Sequence, residues 1–250
     1  VLQELIEDDE ITEIMVNGYD NIFIERNGCI TRCERQFESE EKLADVAQRI
    51  AAMSNKIINE SSPIVDTRLP DGSRVNMVLP PIAIDGPIIT IRKFYRTPMD
   101  IKRMIQAGSI TVEAADFLKL LVKAKYNIFV SGGTGSGKTT FLNALSNYIP
   151  KDERILTIED SAELQIRNVA NLVRLETRVA SVEGCQEITI RDLIRTSLRM
   201  RPTRLIVGEV RGKEAIDMLQ SVNVGHCGMT TIHANSIRLS LIHISEPTRL

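Results

Sequence analysis

One glycine-rich stretch constrains this chain more than any other feature. Residues 132–139 read Gly-Gly-Thr-Gly-Ser-Gly-Lys-Thr, which matches the phosphate-loop pattern G-x-x-x-x-G-K-[ST]. An apolar run at 127–130 precedes it, and apolar residues at helical spacing follow it (Phe141, Leu142 and Leu145). Strand, loop and helix in this order are the context that the motif requires. The sequence therefore predicts a domain that binds a nucleoside triphosphate.

The residue types in this stretch suit phosphate groups and a metal ion. Its glycines let the backbone turn tightly, so that successive N–H groups point at phosphate oxygens, and the dipole of the following helix adds to the same anion site. We expect Lys138 to reach the β- and γ-phosphates and Thr139 to offer its hydroxyl to Mg²⁺. The predicted nucleotide-binding set is Gly132, Gly133, Thr134, Gly135, Ser136, Gly137, Lys138, Thr139 and Thr140.

Strands and helices alternate through the second half of the chain. The pattern predicts strands at 127–131, 154–159, 204–208 and 229–233, and helices at 138–149, 189–200 and 212–224. Alternation of this kind is typical of an α/β domain in which helices wrap a parallel sheet. Ligands of such sheets bind at the carboxyl ends of the strands.

The first ninety-odd residues carry hairpin signals instead. Strand-like segments flank the turn sequences Asn27-Gly28 and Pro70-Asp71-Gly72, both of which favour hairpins. A helix with Ser39 as its N-cap is expected between the two hairpins, and residues 88–94 are typical of a last strand. We therefore predict a small α+β domain at 1–94, a linker at 95–108 and the phosphate-loop domain at 109–236.

Both ends of the sequence look like fragment boundaries. Residue 1 is Val, and residues 2–6 have the pattern of the middle of a helix. Residues 237–250 show neither a sustained helical period nor a finished strand, and 240–249 resemble a translated sequencing adapter. We expect residues 237–250 to be non-native and the C-terminal subdomain of the phosphate-loop domain to be missing.

Composition narrows the class of protein. A net charge of −2 argues against a protein that coats nucleic acid. No apolar run is long enough to cross a bilayer, and no signal peptide opens the chain. None of the four cysteines belongs to a C-x-x-C pair, so the sequence predicts reduced thiols and no structural zinc site.

Two predicted strands end in carboxylates. One strand runs into Glu159-Asp160, with Glu163 one turn later, and another runs into Gly208-Glu209. Because Gly208 replaces the usual aspartate, we expect the outer shell of Mg²⁺ to draw on Glu159 and Asp160, leaving Glu209 to polarise water. The alternative for any single acid is that it merely caps the following helix.

Histidines and arginines supply further candidates. His226 and His233 bracket a short predicted strand, where each is either a structural histidine or a sensor of the γ-phosphate. Arg191, Arg195 and Arg199 recur at a spacing of four on one helix face. Such a face is usually solvated or lies between subunits, and contact with nucleic acid is the alternative.

Four ordered motifs carry a family resemblance. They are residues 132–140, the acidic box at 158–163, the segment 199–211 and the histidine-containing segment 225–236. Together they resemble the type II/type IV secretion ATPases (GspE/PilT-like), and most strongly the CpaF branch of Tad or Flp pilus systems. Residues 66–76 and 90–94 look like that branch too.

The resemblance implies a fold and a set of functional residues. It implies a RecA-like P-loop NTPase domain preceded by a small α+β (PAS-like) domain, with ATP held between the two in a homohexameric ring. Glu209 matches the family's catalytic glutamate, and Arg74 and Arg92, with Arg68 less clearly, match arginines that reach nucleotide phosphates. Glu159, Asp160 and Glu163 match the acidic box, with Mg²⁺ expected at Thr139, Asp160 and Glu163. His226 and His233 match the histidine box.

The expected function is that of an ATP-driven motor for pilus assembly or protein export. We expect it to be cytoplasmic and peripheral to the inner membrane, to act on a membrane platform protein and to make no direct contact with nucleic acid. A pilus-retraction ATPase shares every motif. A RecA-like nucleic-acid motor would need aromatic loops, whereas aromatic residues make up 4% of the chain and Trp is absent. A GTP switch lacks its guanine-reading contact, and a non-hydrolysing ATP-binding module stays open.

Overall fold

The chain divides into two compact units, Val1–Thr97 and Pro98–Leu250. The structure is a computed structural model and describes residues 1–26, 28–94, 99–167, 169–178 and 186–234. Asn27 of the first predicted turn, residues 95–98 of the predicted linker and the predicted tail at 237–250 lie outside the described residues.

The first unit is built on an antiparallel sheet of six strands. The strand order is β3-β2-β1-β6-β5-β4, and each neighbouring pair is antiparallel. Both predicted hairpins are present, as β2–β3 and β4–β5. The elements are α1 (Leu2–Glu7), β1 (Ile11–Asn17), β2 (Ile22–Arg26), β3 (Cys29–Cys33), α2 (Glu40–Met53), β4 (Ile64–Arg68), β5 (Arg74–Val78) and β6 (Ile88–Arg92).

Helix α2 closes one face of this sheet. Ser39 is its N-cap, as predicted, and its side chain accepts a hydrogen bond from the Lys42 N–H. Leu43 and Ala47 of α2 are fully buried in one core cluster with inward-facing residues of the strands, such as Ile14. The other face of the sheet carries the polar side chains of the same strands, so it is the face that displays charge.

The second unit contains the predicted parallel sheet. Its strand order is β7-β11-β10-β8-β9, and all four neighbouring pairs are parallel. The elements are α3 (Ile101–Gln106), α4 (Val112–Lys123), β7 (Ile128–Gly132), α5 (Lys138–Ser146), β8 (Ile155–Glu159), β9 (Leu172–Glu176), α6 (Ile190–Ser197) with a 3₁₀ turn at Leu198–Met200, β10 (Arg204–Val210), α7 (Glu214–Asn223) and β11 (Cys227–His233).

Part of the predicted linker is a packed helix. Ile101 and Met104 of α3 are buried in the same core cluster as Leu142 and Leu145 of α5. Burial of these apolar side chains fixes α3 to the second unit, which therefore takes in residues that the sequence pattern left as a connection.

The predicted arginine face is engaged inside the unit. Arg191 and Arg195 of α6 donate to the two carboxylate oxygens of Asp217 on α7, at 2.6 and 3.1 Å. Asp217 is buried, with 5% of its side chain exposed. These two arginines therefore join two helices, while 43% and 58% of their side chains stay exposed. Within the described ranges, no helix is long and apolar enough to cross a membrane.

Candidate active site

Four strand ends converge at one edge of the parallel sheet. Gly132 of β7 is in register with His233 of β11, and Val207 of β10 is in register with Ile158 of β8. The phosphate loop, Glu209 and Glu159 follow or end these strands, and the carboxyl ends of parallel strands share an edge. The structure thus brings the phosphate loop, His233, Glu209 and the acidic box to the same side of the second unit.

The phosphate loop has the backbone geometry that its glycines allow. Gly135 and Gly137 have φ angles of +72° and +81°, in the left-handed region that side chains disfavour. A Cβ on Gly132 would lie 2.5 Å from Ser136 Oγ, closer than real Cβ contacts. These three positions therefore require glycine for conformation and for space.

Donors of the loop gather around its centre and at the start of α5. Lys138 Nζ and Ser136 Oγ both donate to the Gly133 carbonyl, at 2.9 and 2.8 Å. Gly137 is the N-cap of α5 and offers no capping side chain, so the N–H groups of the first turn, with half-buried Thr139 and exposed Thr140, are available to an anion. These residues fit a polyphosphate, and the Thr139 hydroxyl suits its metal ion.

A β-bulge displays Glu209. The register of β10 and β11 passes from Val207–Thr230 to Val210–Ile232, so two residues of β10, Gly208 and Glu209, stand opposite Thr231 alone. The Thr231 hydroxyl donates to the Gly208 carbonyl at 2.7 Å. Bulges commonly redirect a side chain next to an active site. Gly208 inside a predicted strand was the sequence signal for this bulge.

Glu209 has a partner that the sequence analysis did not assign. Arg211 donates to the Glu209 carboxylate at 2.7 Å, and the Glu209 side chain is 23% exposed. This hydrogen bond, followed by the charges of Glu209, Asp160 and Glu214, raises the pKa of Arg211. Arg211 is therefore a cation among the carboxylates of the site edge, and its place two residues after Glu209 was the available signal.

Glu159 is buried and holds the backbone of the acidic box through hydrogen bonds. Its side chain is buried, and Oε2 accepts the N–H groups of Glu163 and Leu164 at 2.6 and 2.8 Å. Burial raises the pKa of Glu159, while these two N–H donors oppose the shift. Oε1 is buried and has no partner among the described residues. This buried position corrects the expectation that Glu159 takes a catalytic part in the outer shell of Mg²⁺, because the exposed acids of the box are Asp160 and, in part, Glu163.

Asn143 also forms hydrogen bonds to the backbone of the acidic-box segment. The Gln165 N–H donates to Asn143 Oδ1 at 2.8 Å, and Asn143 Nδ2 donates to the Glu163 carbonyl at 3.3 Å. Asn143 lies on α5, four residues after Thr139, so both side chains are on the same helix face. Asn143 was not predicted as a functional residue, and its spacing from Thr139 was the only sequence signal for it.

The carboxylates do not form a metal cage by themselves. Over the described residues, no group of three or more His, Cys, Asp or Glu side chains could hold a metal ion. Mg²⁺ in phosphate sites typically binds one or two protein ligands together with water and phosphate. The donor set of Thr139, Asp160 and Glu163 fits that kind of site.

The structure separates the two histidines. His233 ends β11 beside the phosphate loop and is exposed, whereas His226 precedes β11. Seven strand residues at about 3.3 Å each put His226 roughly 23 Å away, at the opposite edge of the sheet. His226 Nδ1 lies 3.2 Å from the Pro202 carbonyl. This corrects the expectation of a catalytic role for His226, which instead has the contacts of a structural histidine.

The predicted arginines form one row on the first unit. Arg68 is paired with Arg74 across β4 and β5, and Arg74 is paired with Arg92 across β5 and β6. Neighbouring strands are about 4.8 Å apart, and like charges in directly opposed positions repel. We call Arg68, Arg74 and Arg92 the arginine row. Arg92 is also paired with Glu13 across β1 and β6, so the row borders an acidic side chain.

Comparison with known proteins identifies the family. A family model described as "Type II/IV secretion system protein" matches residues 1–246. The chain belongs to this family. A putative conjugal transfer protein of Mycobacterium tuberculosis (strain ATCC 25618 / H37Rv) is 37% identical over 243 residues, which cover 94% of this chain and 69% of that protein.

A second relative and a solved structure are also similar to this chain. The type IV secretion system protein PtlH of Bordetella pertussis is 34% identical over 254 residues, covering 93% of this chain and 75% of that protein. The ATPase DotB of Legionella pneumophila has the same fold, with a TM-score of 0.68 at 22% identity, over 100% of this chain and 69% of that one. The resemblance stated from the motifs is thus confirmed at the level of the family.

Proposed function

We propose that the chain is a Mg²⁺-dependent ATPase that powers pilus assembly of the Flp/Tad type or protein secretion. It works as a homohexameric ring, cytoplasmic and peripheral to the inner membrane, and passes force to a membrane platform protein. Membership of the type II/IV secretion family supports the motor role, and the motif resemblance to the CpaF branch supports the pilus assignment. We further propose that the first unit is a PAS-like domain.

One observation carries this proposal. The phosphate loop, a glutamate displayed by a bulge and an acidic box stand at the carboxyl edge of a single parallel sheet. Carboxyl ends of parallel strands share an edge in any such sheet, so the specific observation is the bulge that redirects Glu209 on the edge that carries the phosphate loop. This placement of Glu209 supports triphosphate hydrolysis over simple nucleotide binding.

Each residue has a task in the proposed reaction. The loop N–H groups and Lys138 bind and orient the phosphates, and Glu209 accepts a proton from the attacking water. When bound, Mg²⁺ neutralises phosphate charge, and Thr139, Asp160 and Glu163 would hold it. His233 lies where it can sense the terminal phosphate. The planar, forked guanidinium groups of Arg74 and Arg92 stabilise charge on the transferred phosphoryl group.

A nucleic-acid motor has less support. Its basic helix face would need Arg191 and Arg195, which are hydrogen-bonded to Asp217 instead. Pilus retraction uses the same machinery as assembly, and no observation on this chain favours it.

Substitution of Glu209 tests the proposed chemistry. Glu209→Gln should lower ATP turnover at least about a hundredfold, because the amide cannot take a proton, while ATP affinity stays within about threefold. Lys138→Ala should abolish ATP binding itself. Glu187→Gln removes an exposed carboxylate outside the site and serves as the control. If the wild-type chain shows no turnover, the motor proposal fails for it.

The arginine row needs its own test. Arg92→Ala should reduce turnover at least about tenfold, since arginines that meet the transferred phosphoryl group contribute strongly to rate. Arg26→Ala removes a positive charge of the same sheet that pairs with Asp8 at 2.6 Å, and it should leave turnover unchanged. Equal effects of the two variants would refute a specific role for the row.

Sedimentation tests the ring. We expect the Glu209→Gln variant to sediment as a hexamer when ATP and Mg²⁺ are present. The variant is used because it should bind ATP without hydrolysing it. A monomer both with and without nucleotide would contradict the ring, and such a chain should hydrolyse ATP poorly.

A further inference from the structure

The acidic box leaves regular secondary structure after Glu159, the last residue of β8. Residues 161–167 form neither helix nor strand, yet they include Glu163 and directly follow Asp160, the two acids of the box that are not buried. Backbone polar groups of such a segment must find partners, and here side chains provide them. We call residues 160–165 the acidic-box loop.

Two side chains from different elements grip this loop. Glu159, at the end of β8, takes the N–H groups of Glu163 and Leu164. Asn143, on α5, accepts the Gln165 N–H and donates to the Glu163 carbonyl. The Asn143 amide thus pairs with the loop backbone in both directions, as a neighbouring strand would. Of these two side chains, only Asn143 belongs to α5, the helix that begins at the phosphate loop.

We infer that Asn143 is a positioning residue that fixes the acidic box relative to the phosphate-loop helix. The inference rests on the proposed function, because it assigns the box a role beside bound nucleotide. Thr139 and Asn143 lie one turn apart on the same rigid helix. The Asn143 hydrogen bonds therefore fix the loop acids at a defined distance from the Thr139 hydroxyl. A shift of about 1 Å between such groups can reduce a rate a hundredfold.

Loss of the two Asn143 hydrogen bonds should move the acidic-box loop without unfolding the protein. Leu164 is 2% exposed and packs in the same cluster as Leu142 and Leu145 of α5. This apolar contact and the Glu159 grip both remain when Asn143 is replaced. The variant therefore keeps its fold and its phosphate loop but loses the defined distance between Thr139 and the acids.

Asn143→Leu tests the inference because Leu has the same number and branching of side-chain heavy atoms and can form neither hydrogen bond. We expect turnover to fall about 10- to 100-fold and the Mg²⁺ concentration for half-maximal activity to rise, while the affinity for a fluorescent ATP analogue without Mg²⁺ stays within about threefold. A structural defect alone would lower affinity and turnover together. Asn147→Leu, at the exposed C-cap of α5, should match the wild type.

Hydrogen exchange gives a readout that does not depend on activity. The Gln165 N–H should exchange faster in Asn143→Leu, while the protection of the Glu163 and Leu164 N–H groups, held by Glu159, should change little. If the wild type binds nucleotide but shows no turnover, the proposed function fails. The exchange difference then still shows whether Asn143 holds the acidic-box loop. Unchanged exchange at Gln165, or unchanged turnover in an active chain, overturns the inference.

Discussion

Glu159 packs directly against Gly208 at the site edge. A Cβ on Gly208 would lie 3.1 Å from Glu159 Cγ, and Gly208 stands where such sites usually carry an aspartate. The glutamate of β8 fills the space that a side chain on β10 would need. We therefore expect Gly208→Ala to lower the free energy of unfolding by about 1–3 kcal/mol, the usual cost of overpacking, in urea denaturation.

Two comparisons separate this contact from a general glycine effect. In a Glu159→Ala background, the cost of Gly208→Ala should shrink to within about 0.5 kcal/mol, because the opposing atoms are gone. Gly212→Ala should be nearly neutral, since its Cβ would meet only the flexible end of Glu214 at 3.4 Å. Additive costs in the double variant would contradict the proposed packing.

Substitutions of Arg191 and Arg195, which join α6 to α7 by binding Asp217, should lower the free energy of unfolding non-additively. Asp217 keeps one guanidinium partner in Arg191→Ala or Arg195→Ala, so each change should cost about 1 kcal/mol. The double variant leaves a buried carboxylate without its cations and should cost about 3 kcal/mol or more. Urea denaturation of all three variants measures this. Arg199→Ala, at an exposed position, is the control, and a double cost equal to the sum would count against joint binding of Asp217.

Local motifs were the predictable part of this structure. The phosphate loop and the Ser39 cap depend on neighbours in the chain, so their residue types predict their geometry. β1 and β9 were not predicted, because consecutive apolar residues in β1 blur its alternation and β9 is a short, half-exposed strand at the sheet edge.

Contacts between distant residues lay beyond the sequence. Arg204 is fully buried and pairs with Glu153 at 3.0 Å, 51 positions away. Asn143 meets the acidic-box loop 20 and 22 positions away. A single sequence carries no periodic signal for such pairs, since the fold alone decides which strand and helix ends meet. The corrected roles of Glu159 and His226 have the same origin.

The N-terminal cap of α6 gives a pH-dependent prediction. A hydrogen bond from the Thr189 hydroxyl, followed by one from the Thr189 N–H, lowers the pKa of Asp192 below its ordinary value of 3.8. Because the unfolded chain binds the proton more readily, the cap stabilises the fold fully above the ordinary pKa and loses this effect as the pH falls through the lowered pKa. Asp192→Asn should therefore lower the urea midpoint at pH 7, and the difference should vanish at acid pH.

The control for this cap is an acid at the start of another helix. Glu113 of α4 also has a lowered pKa, first through its own backbone N–H and then through Thr111. Glu113→Gln should also lower the urea midpoint at pH 7 and converge with wild type at low pH. A constant difference between Asp192→Asn and wild type at all pH values would show that the cap acts without its charge.

Cys227 should be much less reactive than Cys29. Cys227 is buried at the start of β11, its Sγ donates to the Tyr126 carbonyl at 3.4 Å, and burial is the main cause that raises the pKa of its thiol above 9.0. The thiolate is the reacting form, so both burial and the raised pKa slow alkylation. With iodoacetamide at pH 8, peptide mass spectrometry should show Cys29, which is exposed, modified first, and Cys227 modified only as the sheet opens. In urea the two should react at similar rates. Equal rates in the native protein would mean that the amino end of β11 is open to solvent.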